Sequence, residues 1–368
     1  MKVSCTQENF SKGLSIVSRS VGTRATLPVL NNILIQTDKG GLKLSATDLE
    51  IGIHTWIGAK VDAEGGITVP ARLLQDYINN NTDKTIELTL TESVLKLESD
   101  HFKANIKGIE ASEFPLIPEV KKTVEIEVPS AELANGINKT VIATAMDESR
   151  PVLAGVYFYS TGADMKMVAT DSYRLAEKTI KLAKKPEKDF KFIVPSRTMA
   201  ELSRIVVNSG EKVKILPGEN QVEFVLENTI LVSRLVEGAF PDYAQIIPKE
   251  NKTSAEMVSG QFHNAIKMAS LFARESANNI KLKITAPNKL EVLANSSQIG
   301  DNVSEVPAVV KGENIEIAFN AKFILDCLAV IGSEKVTVNL NGNMVAGILR
   351  ANSDANYLYV IMPLRIEE

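Results

Sequence analysis

Three stretches decide the reading of this chain: Val69-Pro70-Ala71-Arg72-Leu73-Leu74-Gln75-Asp76, Val194-Pro195-Ser196-Arg197-Thr198-Met199-Ala200-Glu201 and Phe319-Asn320-Ala321-Lys322-Phe323-Ile324-Leu325-Asp326. Each has a helix-start residue, a small residue and a cation, with a carboxylate four positions after the cation. Arg72 and Arg197 are 125 residues apart, and so are Arg197 and Lys322. Three other sets keep the same order. Phe10-x-x-Gly13-Leu14 is echoed by Leu133-x-x-Gly136-Ile137 and Phe262-x-x-Ala265-Ile266. Ala46-Thr47-Asp48 recurs as Ala169-Thr170-Asp171 and, more weakly, as Ala294-Asn295-Ser296, while Phe114-Pro115 matches Phe240-Pro241. A period of this size filling 368 residues predicts an internal triplication. The polar stretches Lys121-Lys122-Thr123 and Pro248-Lys249-Glu250-Asn251-Lys252 read as linkers and place the domains at 1–123, 124–249 and 250–368.

Within a repeat the pattern runs helix, strands, helix, strands. Phe10, Leu14, Val17 and Val21 recur at helical spacing, as do Met199, Leu202 and Val206. Helices are predicted over 7–20, 71–80, 130–146, 196–209, 260–275 and 321–332. Alternation marks strands at Ile86-x-Leu88-x-Leu90, Val213-x-Ile215 and Val336-x-Val338-x-Leu340. Asp38-Lys39-Gly40-Gly41, Pro217-Gly218-Glu219-Asn220 and Asn341-Gly342-Asn343 are turn signals. The expected class is α+β: antiparallel sheet carrying two amphipathic helices per domain.

Net charge is −4 and the sequence pI about 5.7, which argues against a uniformly basic nucleic-acid binder. The charge is sorted, however. The six helices carry nine cations (Lys12, Arg19, Arg72, Lys139, Arg197, Arg204, Lys267, Arg274, Lys322) against six anions, leaving them at +3 and the remainder at −7. Arg72, Arg197 and Lys322 stand in register between repeats. Mean hydropathy is +0.00 and no apolar run approaches the ~18 residues of a membrane span. The start, MKVSCTQENF, does not read as a secretory signal. With only Cys5 and Cys327, a cytoplasmic protein without a disulfide framework is expected.

Catalytic and cofactor signatures are missing. There is no G-x-x-x-x-G-K-[ST] loop and no G-x-G-x-x-G after a strand. His54, His101 and His263 have no metal-ligand spacing, so no metal or cofactor is expected. Asp48 and Asp171 are the best acid–base pair an enzyme built on this scaffold would have, but each follows Thr at the end of an apolar strand, which is ordinary turn chemistry. A peptide-binding hub indifferent to its helix cations is a third reading.

Longer motifs narrow the choice. Leu27-Pro28-Val29-Leu30 with Ala46-Thr47-Asp48-Leu49-Glu50 comes first, then Arg150-Pro151-Val152-Leu153-Ala154-Gly155. Ala169-Thr170-Asp171-Ser172-Tyr173-Arg174-Leu175-Ala176 and Glu237-Gly238-Ala239-Phe240-Pro241-Asp242-Tyr243 follow, and Tyr359-Val360-Ile361-Met362-Pro363-Leu364-Arg365-Ile366 closes the series. With these five in order over its whole length, the chain resembles the bacterial DNA polymerase III beta subunit family, the replicative sliding clamps.

That resemblance implies the DNA clamp fold: three similar domains per chain, closing as a head-to-tail homodimer into a six-domain ring with helices lining the hole. It implies a non-enzymatic processivity factor that encircles double-stranded DNA, slides without sequence preference and tethers the polymerase III alpha subunit, the clamp-loader delta subunit and other clamp-motif proteins. The DNA-facing residues it implies are Arg24, Arg72, Arg150, Arg197, Arg204 and Lys322, with Lys12, Lys139 and Lys267. A peptide pocket is implied between the second and third domains. Leu153, Leu175, Ile246, Met344, Val360 and Met362 would offer an adaptable apolar floor. Arg174 and Arg365 would orient a peptide carboxylate or carbonyl. Thr170, Ser172, Tyr173, Pro241, Asn320 and Phe323 also match, as do Ala346, Pro363 and Leu364. Ser172 and Tyr173 stand where other members often carry Gly and His, and Gln245 where some carry Arg, which bears on peptide preference rather than on the pocket. The dimer seam would pair Leu271 and Phe272 with the partner's strand carrying Ala104 and Ile106.

Overall fold

The computed structural model describes residues 1–22, 27–147, 149–207 and 210–365. Six α-helices lie among them: α1 Gln7–Val17, α2 Ala71–Asn80, α3 Ser130–Val141, α4 Ser196–Val206, α5 Ser259–Ala273 and α6 Ala321–Val330. None of these is long and apolar enough to cross a membrane. Every strand pairing among the described residues is antiparallel. The result is an α+β architecture of antiparallel sheets carrying helices.

Two of the helices start where a side chain satisfies one of their first N–H groups. Thr6 accepts from the Asn9 N–H ahead of α1, and Asn320 Oδ1 accepts from the Lys322 N–H at 2.9 Å ahead of α6. In α2 the buried residues are Ala71, Leu74 and Ile78, which leaves Arg72, Leu73 and Asp76 on the outer side. In α1 Phe10, Gly13, Leu14 and Val17 are buried. A Cβ on Gly13 would sit 2.8 Å from Leu44 Cδ1, and one on Gly136 of α3 2.7 Å from Met167 Sδ. At both glycines the helix lies too close to its sheet to admit a side chain without a shift.

Four expected helices end early, α5 at Ala273 and α6 at Val330 by two residues each. The run expected over 130–146 stops at Val141, because Thr140 Oγ1 donates back to the Gly136 carbonyl and Thr144 Oγ1 to the Val141 carbonyl. Hydroxyls that bond their own preceding turn compete with helix continuation, and Thr140-Val141-Ile142 is a β-branched run. After Val17, α1 tightens into a 3₁₀ turn over Ser18–Ser20. The end expected at 209 for α4 falls outside the described residues.

The chain divides into two compact units, Met1–Ala134 with Pro186–Lys188 and Glu201–Leu235, and Asn135–Lys185 with Asp189–Ala200 and Val236–Glu368. The first holds two sheets. One has five strands in the order Lys60–Ala63, Lys2–Thr6, Thr85–Thr91, Val94–Glu98, Lys103–Lys107, so Lys103–Lys107 is an edge. The other has nine strands, and in it Ile51–Ile57 of the first repeat pairs with Thr229–Arg234 of the second, Ile53 opposite Leu231. The second unit is built on one twelve-stranded sheet. There Arg174–Lys181 of the second repeat pairs with Asp354–Ile361 of the third, Arg174 opposite Ile361 and Lys178 opposite Tyr357. Sheets thus run through the joins between repeats, which the linker reading does not foresee.

Candidate peptide groove and nucleic-acid face

The best-defined candidate site lies in the second unit, at the turn between the strands Asp164–Thr170 and Arg174–Lys181. Asp171 Oδ1 accepts from the N–H groups of Tyr173 and Arg174, and Thr170 Oγ1 donates to the Arg174 carbonyl. Ser172 is held at φ 78°, and Tyr173 projects 60% exposed. The Asp48 turn is built alike: Oδ1 accepts from Glu50 and Ile51, and Leu49 takes φ 76°. Both aspartates spend an oxygen on shaping a turn.

The backbone beyond the strand Asp354–Ile361 is laid against that turn. Met362 N–H donates to the Tyr173 carbonyl at 2.8 Å, and Leu364 N–H to the Ala318 carbonyl at 2.8 Å. Leu175, Ala346 and Val360 share one buried cluster with Val168, Tyr243, Ile348 and Leu358. Leu153 and Thr170 are also buried. Ile246, Met344 and Met362 are exposed apolar side chains, as is the Pro241 ring. Phe323, Pro363, Leu364 and Asn320 are half-buried, and Arg365 is exposed. An apolar floor with exposed methionines at its rim suits a short peptide of mixed sequence.

Arg174, expected to orient a peptide carboxylate or carbonyl, has its guanidinium engaged within the chain. Its side chain is 6% exposed, with Nε 3.0 Å from Asp171 Oδ2, Nη1 on Asp326 and the guanidinium 4.5 Å over the Phe323 ring. Burial alone would lower its pKa, but Tyr359, Asp326 and Asp171 outweigh that and keep it above the ordinary arginine value. It is a charged strut in the wall. Arg365 is left as the accessible cation of the pair.

Lys139 also departs from expectation. It is buried, its Nζ 2.7 Å from Asp354 Oδ2 and 5.1 Å over the Tyr357 ring, so it does not face DNA. Lys178 Nζ is 2.7 Å from the same oxygen. Burial raises the Asp354 pKa, and the two ammonium groups more than reverse this, leaving the carboxyl below its usual range. The remaining described cations are exposed. Arg72, Arg197 and Lys322 each occupy the second residue of their helix, Lys12, Arg204 and Lys267 lie on helices, and Arg150 reaches Ser172 Oγ at 3.3 Å. Arg24 lies outside the described residues. The i+4 carboxylates have other partners: Glu201 meets Arg19 and Arg204, and Asp326 meets Arg174.

At the expected seam, Leu271 is exposed and Phe272 half-buried on α5. Ile106 is buried at 4%, opposite Leu95 in its own sheet, so its side chain is core rather than contact. What the strand Lys103–Lys107 offers is the unpaired backbone of an edge.

One feature was missed from sequence. A cavity of about 650 Å³ is lined by Tyr157, Tyr159, Lys166, Glu177, Phe240 and Tyr243 among others. Tyr243 donates to Glu177 and its hydroxyl lies 2.6 Å from that of Tyr159. The signal was present in Phe240-Pro241-Asp242-Tyr243 and in the alternation of Tyr157 with Tyr159. Elsewhere, burial pushes the Cys5 and Cys327 thiols up to about 12 and the His54 imidazole down to about 4, which suits structural groups rather than catalytic ones.

Comparison with known proteins agrees over the whole chain. Family models described as the N-terminal, central and C-terminal domains of the DNA polymerase III beta subunit match residues 1–118, 127–242 and 244–365. A beta sliding clamp of Synechococcus elongatus is 31% identical, with all of both chains covered. One from Bacillus subtilis is 30% identical over 99% of this chain and all of its own. The crystal structure of the DNA polymerase sliding clamp from Bacillus subtilis superposes with a TM-score of 0.95 at 29% identity, covering both chains completely.

Proposed function

Since the chain belongs to the bacterial DNA polymerase III beta sliding-clamp family and is a non-catalytic replication processivity factor, we propose that two copies join head to tail into a ring around duplex DNA. The edge strand Lys103–Lys107 of one copy pairs with the third domain of the other, beside Leu271 and Phe272. The exposed helix cations, Lys139 excepted, face the DNA. The observation that carries this reading is the equivalent placement of Arg72, Arg197 and Lys322, all exposed at the second position of their helices in three successive repeats. Such repetition suits contacts with a uniform phosphate backbone, which position a protein without reading sequence.

A closed ring leaves DNA only by opening or by reaching an end, so its lining need not grip. The groove floored by Leu175, Ala346 and Val360 takes peptide motifs from the polymerase alpha subunit, the clamp-loader delta subunit and other partners, in the cytoplasm where replication proceeds. The test is to load the protein onto a nicked circular plasmid with a clamp loader and ATP, then cut the plasmid once. Retention on the circle and loss from linear DNA at moderate salt is the expected result. Retention on both means electrostatic grip and overturns the topological mechanism.

A further inference from the structure

One carboxylate on the helix faces works against DNA rather than toward it. Glu201 lies on α4 with its side chain 16% exposed. Its Oε2 accepts from Arg19 Nη1 at 3.3 Å and its Oε1 from Arg204 Nη1 at 2.7 Å. Arg19 belongs to the 3₁₀ turn that ends α1, so the carboxylate links a first-repeat helix to a second-repeat helix inside one compact unit. Beside this pair of contacts is a cleft of about 340 Å³ whose walls include Lys12, Arg19 and Arg204, together with Trp56 and Glu227. Three cations from two helices converge on one cleft, and two of them already share a carboxylate.

We propose that Glu201 sets how firmly this face of the clamp holds duplex DNA, by keeping Arg19 and Arg204 partly neutralised so that the ring slides instead of anchoring. The inference rests on the reading that the helices face DNA. The contrast with Lys12 carries the argument further. Lys12 is paired with Glu8 at 2.6 Å, but both side chains are more than two-thirds exposed, so solvent and salt screen that pair and a phosphate displaces the carboxylate easily. Glu201 is fixed by burial and by two guanidinium groups at once, so a phosphate must share them. A cation held by a fixed carboxylate gains less from a passing phosphate and adds less to the salt dependence of binding.

The experiment uses full-length protein loaded on DNA and follows one-dimensional diffusion of single clamps at several salt concentrations, with Glu201→Gln, Glu201→Ala and Glu201→Asp. Both neutral variants free two arginines. They are expected to diffuse several-fold more slowly at low salt, and the log–log salt slope of binding to duplex is expected to steepen by about one to two. The Asp variant keeps the charge and is expected to slide like wild type. Unchanged diffusion and slope in both neutral variants overturns the proposal. Equal slowing in the Asp variant also overturns it, because the cause is then lost helix-to-helix fit and not charge. If wild-type protein itself fails to stay on circles and leave linear DNA, the clamp reading falls and this inference with it. Retention with unaltered sliding in the variants removes the inference alone.

Discussion

Replacing Asp354 with Asn tests the electrostatics inside the second unit. The carboxylate is the shared partner of Lys139 and Lys178, whose side chains are 6% and 4% exposed. Asn keeps the shape and removes the charge, leaving two buried ammonium groups facing a neutral amide. Breaking a buried pair by deleting one partner costs about 3–5 kcal/mol. With Asp354 itself 15% exposed, water recovers part of that, and about 3 kcal/mol is expected. For a unit of this size each kcal/mol moves the melting temperature by about 2–4 °C, so a fall of about 6–12 °C is the expected result by calorimetry at pH 7. The pH dependence has a definite sign. The folded pKa of Asp354 lies below its unfolded value, so its stabilisation is present above the unfolded pKa and is lost as pH falls through the folded one. In the Asn variant that acid-side loss should be missing, and the two melting curves should converge as pH drops below about 4. A variant melting within 1 °C of wild type at pH 7 would refute the claim that this buried triad is held by charge.

Deleting Met362–Glu368 should abolish binding of a clamp-motif peptide in a fluorescence titration while sedimentation still reports a dimer. Unchanged peptide affinity would sink the groove assignment. Arg72→Ala should leave the dimer intact and make the salt slope of DNA binding shallower by about 0.9, one phosphate contact; dissolution of the dimer would count against a DNA-facing Arg72. Leu271→Asp should weaken dimerisation at least tenfold, read by concentration-dependent sedimentation, with an unaltered circular dichroism spectrum. Asp48→Asn should leave processive synthesis unchanged, since an amide oxygen still accepts the two turn N–H bonds there.

Much of the architecture was legible because it depends on local spacing. The helix expected over 71–80 is α2, whose buried residues Ala71, Leu74 and Ile78 recur at helical intervals, and the turn signal at Asp38-Lys39-Gly40-Gly41 is a turn in which Lys39 and Gly40 take positive φ (52° and 76°). What failed depends on partners far away in sequence. Lys139 reads as a solvated helix cation until Asp354, 215 residues on, is placed against it. The Asp326 partner of Arg174, 152 residues on, is equally invisible to local spacing. Ile106 was assigned to a seam when the alternation of its strand already pointed it inward. The end of α3 at Val141 depends on what the hydroxyls of Thr140 and Thr144 do to the backbone, which helical spacing does not show.

The pairing of Arg174–Lys181 with Asp354–Ile361 has a consequence for birth on the ribosome. The second strand is made about 180 residues after the first. At roughly 5–20 residues per second the first strand waits about ten to forty seconds with one side of its backbone open. An open apolar edge of that kind invites capture by a neighbouring nascent chain. Arg174, Glu177, Lys178 and Lys181 put four charges into its eight residues. Arg174, Glu177 and Lys178, buried once the strand Asp354–Ile361 has paired, are charged side chains on that waiting edge, and charge on an edge disfavours pairing with an apolar neighbour.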